Sequence, residues 1–276
     1  MNDYWVMRDI VYGVAGGVSL RLDVYRPSVL PRARMPVLVY VHGGGWRSGD
    51  KNNKDERLGP FARRGYFCAS VGYRLSQQAK FPAQIHDVKC AVRFLRSHAD
   101  EYHLDPDLFG AWGNSAGGHL VSLLGTSSGV PEFEGRGGWP GVSSAVRAVC
   151  SWYGPTDLCA LAAQYGAEAP DSSVTELLGV TAAVDLEAAR RASPITHVSA
   201  RSAAFLLMAG DADPLVGLPP IRAFHERLRA AGVESTLIVY PGAGHGGAVF
   251  DASPEPGRFF DRHLLTIKPD PEGEGG

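Results

Sequence analysis

Residues 106–126 read PDLFGAWGNSAGGHLVSLLGT. The opening PDLFGAWG reads as a strand, and SAGGHLVSLLGT carries the apolar spacing of a helix. Between them GNSAG, Gly113 to Gly117, leaves no room for an ordinary loop. The chain must quit the strand and enter the helix within a single tight turn. Serine sits at the apex of that turn, with glycine two residues to either side. Side chains at those two places would collide with neighbouring backbone, so glycine fills both. A strand feeding directly into a helix is the repeating unit of a mostly parallel α/β sheet.

The G-x-S-x-G pattern in this setting is a nucleophile elbow, which lifts the Ser115 hydroxyl above the sheet. The helix behind it offers free N–H groups and the positive end of its dipole. About 70 residues upstream stands VYVHGGGWRSGD, Val39 to Asp50, with Lys51 directly after. A strand, three glycines and a lysine suggest a phosphate cradle. The spacing does not fit: a P-loop places Lys and then Ser or Thr directly after its last glycine. Here Asp50 follows Gly49, and Asn52 follows Lys51. The glycine loop instead suits an anion that forms only briefly. When a serine attacks a carbonyl, the charge on oxygen is held by the N–H of the next residue, Ala116, and by N–H groups of the glycine loop.

The same rhythm extends in both directions. Residues 9–25 alternate around Gly16-Gly17 as a hairpin does. PVLVYVH, GYFCASVGY, SAVRAVCSWYG, AAFLLMAG and ESTLIVY read as further strands, most of them apolar enough to be buried on both faces. Helical spacing marks residues 53–64, the run AQIHDVKCAVRFLRSHA after Pro82, PPIRAFHERLRAAG and EPGRFFDRHLL. The expectation is an α/β fold with a mostly parallel sheet of about eight strands and helices on both faces. Residues 1–268 are expected to form one domain, with 157–200 as a helical excursion and 269–276 as a disordered tail. Function in such sheets gathers in loops at the carboxyl ends of the strands.

A serine needs a histidine base and a carboxylate that orients it, here in the chain order serine, acid, histidine. Of nine histidines, only His245 lies on a glycine-rich loop after the final strand, in YPGAGHGG. His42 opens the glycine loop and is expected to shape it through hydrogen bonds. His119, one turn past Ser115, is expected to pack locally. The acid belongs after AAFLLMAG, where GDADPLV offers Asp211 and Asp213 in one turn. Asp157, before an Ala/Leu run, reads as a helix cap. Trp46 and Tyr153 are candidates for the substrate pocket.

Taken together, HGGGW, GNSAGG, DADPLV and GAGHG resemble the esterase/lipase branch of the α/β-hydrolase superfamily, which includes hormone-sensitive-lipase-like and feruloyl-esterase-like carboxylesterases. The resemblance runs from LDVYRP to His245. It implies the α/β-hydrolase fold and a carboxylesterase working through an acyl-enzyme on Ser115. It implies Asp213, the aspartate before Pro-Leu, as the acid. Gly44 and Gly45 then complete the oxyanion hole with Ala116. Val216-Gly217 stands after DPL where hormone-sensitive-lipase relatives usually carry an acidic residue, and the N-terminal segment is short. Both departures favour the feruloyl-esterase-like side. The resemblance calls for no metal and no organic cofactor. An arylformamidase or other amide hydrolase is the competing enzyme reading, and a non-catalytic ligand-binding relative is the competing class.

The net charge is −2, from 27 basic and 29 acidic residues. No broad field draws nucleic acid or an anionic membrane surface. The four cysteines show neither CxxC nor zinc spacing. MNDYWVMRDI lacks the pattern of a signal peptide, and no apolar run approaches a membrane span. The expected partner is a small-molecule ester, the expected location the cytoplasm, and monomer and homodimer are equally compatible.

Overall fold

Gly16 and Gly17, both at positive φ (56° and 76°), close a hairpin between β1 (Tyr4–Ala15) and β2 (Val18–Pro27). Such a pair matches the twist of the strands it joins. The computed structural model describes residues 3–166, 169–170 and 172–265; the expected tail at 269–276 lies outside them. Six further strands follow: β3 (Met35–Val41), β4 (Phe67–Val71), β5 (Leu104–Asn114), β6 (Ala148–Trp152), β7 (Ala204–Gly210) and β8 (Ser235–Tyr240). They form one eight-stranded sheet in the order β1-β2-β4-β3-β5-β6-β7-β8. β3 to β8 run parallel, while β1 and β2 are antiparallel to their neighbours.

β3 and β7 are apolar throughout because both of their faces are covered. Along β3, Val37, Val39 and Val41 enter one core and Leu38 and Tyr40 the other. In β7 the same period of two sends Phe205, Leu207 and Ala209 one way and Leu206 and Met208 the other. The first core is closed by α2 (Ala83–Ser97), α3 (Ala116–Thr126) and α8 (Leu218–Ala230), through Val88, Leu120 and Phe224. The second is closed by α1 (Asp55–Arg63) and α10 (Glu255–Leu264), through Leu58, Phe61, Phe259 and Phe260. Each such side chain contributes roughly 2 kcal/mol relative to exposure.

The chain order also contains α4 (Pro131–Glu134), α5 (Leu158–Tyr165), α6 (Ser173–Leu178), α7 (Leu186–Arg191) and α9 (Ala248–Asp251). The expected excursion at 157–200 is therefore three short helices and a 3-10 turn at Pro194–His197. α4 and α9 have four residues each, too short for helical periodicity to show in sequence. All four cysteines are free, and Cys68, Cys90 and Cys150 are buried. Among the described residues no helix is long and apolar enough to cross a membrane.

Candidate active site

Five loops leave the carboxyl ends of neighbouring parallel strands, and the candidate residues sit on them. β3 ends beside Gly113 of β5, and Asn114 at the end of β5 pairs with Trp152 of β6. Ser115 follows at φ 53°, ψ −123°, a conformation that costs a non-glycine residue about 1–3 kcal/mol. The surroundings hold it there. Its N–H donates to Trp152 O at 2.9 Å, and its own carbonyl accepts from His119 N at 2.9 Å. A Cβ on Gly113 would stand 2.4 Å from Gly117 O, and one on Gly117 would stand 2.0 Å from Val41 O. The elbow thus packs directly on the end of β3.

Ser115 Oγ lies 2.8 Å from His245 Nε2, and His245 Nδ1 lies 2.7 Å from Asp213 Oδ2. With the ring proton on Nδ1 donated to the carboxylate, Nε2 is free to accept from the serine hydroxyl. The Asp213 carboxylate is almost fully covered, its side chain 1% exposed. Burial alone would raise its pKa. The hydrogen bond from His245 and the N–H groups of Val216 and Leu215, at 3.0 and 2.8 Å from Oδ1, outweigh that and hold it below the usual value. The two aspartates left open by the sequence now differ. Asp211 accepts from Gly242 N at 2.7 Å and so shapes the turn after β8. Asp157 caps α5, accepting from Cys159 N and Ala160 N.

Gly44, at φ 116°, makes the glycine loop possible, since a Cβ there would meet Ser48 O at 2.1 Å. Its carbonyl accepts from the N–H groups of Arg47 and Ser48 and from the Ser48 hydroxyl. The N–H groups of Gly44, Gly45 and Ala116 donate to no acceptor among the described residues. All three residues border, with Ser115 and His245, a cavity of about 820 Å³. An oxygen atom bearing charge there would find amide hydrogens without a competing partner.

Tyr153 borders the same cavity at φ 38°, its ring 4.6 Å from the His245 ring. Burial pushes its phenol up to about 12, so it stays neutral. Trp46 also borders this cavity. Only 1% of it is exposed, and its Nε1 donates to His119 Nδ1 at 3.1 Å. It is a buried part of the cavity wall. His119 in turn donates from Nε2 to Ala192 O at 2.7 Å, joining the glycine loop to the end of the excursion rather than packing only locally. His42 Nδ1 reaches Gly43 O at 2.7 Å and its ring stacks on Tyr73. Burial pushes both His42 and His119 down to about 4, which keeps them neutral. Leu161 and Tyr165 of α5, and Ser172 and Ser173 at the start of α6, close the cavity from the excursion.

A family model described as BD-FAE matches residues 22–228, most of the chain. The chain is 32% identical to esterase LipC of Mycobacterium tuberculosis, over 89% of this chain and 61% of that protein. It thus spans about three fifths of the length of that curated relative. Among solved structures, a truncated carbohydrate esterase from gut microbiota superposes with a TM-score of 0.85 at 26% identity, covering 96% of this chain and 98% of the other. Esterase 2 of Thermogutta terrifontis, phosphoramylated by tabun, superposes with a TM-score of 0.78 at 27% identity, covering 98% and 97%.

Proposed function

The chain belongs to the BD-FAE family, and from that membership we propose that it is a serine hydrolase of small carboxylic esters. The observation that carries this reading is the unbroken line of hydrogen bonds from Ser115 through His245 to the buried Asp213, at 2.8 and 2.7 Å. His245 takes the proton from Ser115 as its oxygen attacks the ester carbonyl. Asp213 holds the imidazole in the required tautomer and stabilises its cation. The N–H groups of Gly44, Gly45 and Ala116 receive the developing oxyanion, each worth ~3 kcal/mol of barrier. The imidazolium then protonates the departing alcohol. Water, deprotonated by the same histidine, releases the acid from Ser115.

The names of the relatives support esters as substrates, and the organophosphate adduct of the Thermogutta protein supports covalent chemistry. Residues 1–268 are read as one hydrolase unit, with 157–200 as a small cap over the cavity. Four free cysteines support a reducing, cytoplasmic setting. The test is turnover of p-nitrophenyl acetate by the parent and by Ser115→Ala. The variant should lose roughly 10⁵–10⁶ in kcat. A residual rate within tenfold of the parent would refute the assignment. N-formylkynurenine in a parallel assay separates ester from formamide cleavage.

A further inference from the structure

One arginine stands near the elbow and borders a second cavity, of about 920 Å³, with Tyr40, Asn114, Trp152 and Asp251. Arg57, on α1, donates from Nη1 to Tyr40 Oη at 2.7 Å and from Nη2 to Asp251 Oδ1 at 2.5 Å. Tyr40 donates onward to Asn114 Oδ1 at 2.6 Å. Asn114 is the residue before the candidate nucleophile. Asp251 ends α9, the short helix that begins three residues after His245. The guanidinium thus grips the elbow with one arm and the histidine loop with the other.

The connection closes on itself. Phe250, beside Asp251, packs edge-on against Tyr153 at 4.8 Å, and Tyr153 lies against His245 at 4.6 Å. The Tyr153 hydroxyl also interacts with Asn114. Arg57, Tyr40, Asn114, Tyr153 and the His245 loop thus form a closed ring of contacts. Arginine suits its place in that ring: its planar fork serves two acceptors at once, and its flat face lies 4.8 Å over Trp152. A lysine offers a compact charge without that fork or flat face.

We propose that Arg57 is a positioning residue for ester hydrolysis, fixing the distance between Ser115 and His245 by tying Tyr40 and Asn114 to Asp251. The proposal rests on the serine-hydrolase reading above. A purely stabilising role fits the observations less well. The Arg57 side chain is 24% and the Asp251 side chain 58% exposed, and an ion pair open to water on one side adds little to global stability. What the pair does fix is where two catalytic loops stand relative to one another, and small misplacements there are costly in rate.

The test is a cycle of Arg57→Gln, Tyr40→Phe and the double variant, assayed with p-nitrophenyl acetate beside the parent and Ser115→Ala. Tyr40→Phe removes one oxygen from a buried ring and keeps the fold. Arg57→Gln should lower kcat roughly 10–100-fold, and Tyr40→Phe about fivefold, both with KM within twofold of the parent. The double variant should match Arg57→Gln, because both act through one chain of contacts. Arg57→Lys should recover only part of the loss. If the parent is active while Arg57→Gln and Tyr40→Phe keep its kcat within twofold, the positioning role is wrong. Losses that multiply, or that fall on KM alone, overturn it equally. A parent with no turnover and no difference from Ser115→Ala overturns the hydrolase reading, and the positioning role with it.

Discussion

The two halves of the site are held in opposite ways. On the Ser115 side the glycines are hemmed in: a Cβ on Gly44, Gly113 or Gly117 would meet backbone atoms at 2.0 to 2.4 Å. On the His245 side, Gly242, Gly244 and Gly247 have nothing within 4 Å of an added Cβ. Ser115 is therefore located by packing, with little freedom left in the elbow. His245 is located by directed bonds, from its ring to Asp213 and from Arg57 to the helix that follows it. Tight packing can hold a strained serine in place. A hydrogen-bonded loop can let an imidazole turn between attacking and leaving groups without moving the sheet.

The largest effect should come from the directed bonds. Asp213→Asn keeps the shape but favours the wrong tautomer, and kcat should fall about 10⁴-fold. Asp211→Asn, which only loosens the turn at Gly242, should cost less than tenfold. Steady-state kinetics of both variants decide it, and the reverse ranking would transfer the role of acid to Asp211.

Acid should act next, on the packed half. His42 and His119 sit near 4 in the fold and near 6.5 when unfolded. Between those values the unfolded chain binds more protons. Stability that is complete above about pH 6.5 is therefore lost as pH falls toward 4. Together they should remove on the order of 5 kcal/mol by pH 4.5. Asp213, held below the usual carboxylate value, adds its share only at still lower pH. Urea unfolding at pH 7 and pH 4.5 measures this, and equal midpoints would contradict the burial of both rings as neutral groups.

Glycine substitutions sharpen the contrast directly. Gly117→Ala must displace the end of β3, because the new methyl would lie 2.0 Å from Val41 O. It should cost about 3 kcal/mol of stability. Gly244→Ala, with open space around it, should stay within about 0.5 kcal/mol. Thermal unfolding of the pair tests whether packing really ends at the elbow.

Much of this was legible in the chain because burial on both faces leaves a plain signature. β3 and β7 are unbroken apolar runs, and the elbow announces itself by a serine between two glycines at a strand-to-helix change. The choice between Asp211 and Asp213 was not legible from local pattern. Both lie in one turn, and only their distant partners, Gly242 N–H and His245, separate them. The partner of Trp46 was hidden for a similar reason: nothing beside it in sequence shows that its indole finds His119, 73 residues on. Arg57 left a faint trace. It lies one helical turn before Phe61, on the stripe of α1 that turns inward, where a charge demands partners. Those partners, Tyr40 and Asp251, are 17 and 194 residues away, beyond the reach of spacing rules.

The central claim is that one hydroxyl, Ser115, is made nucleophilic by His245. Mass-spectrometric mapping after reaction with a fluorophosphonate tests it most directly. The account predicts one adduct per chain, on Ser115, lost in Ser115→Ala and strongly slowed in His245→Ala. An adduct on another residue, or ester turnover by a parent that the probe leaves unlabelled, would contradict it.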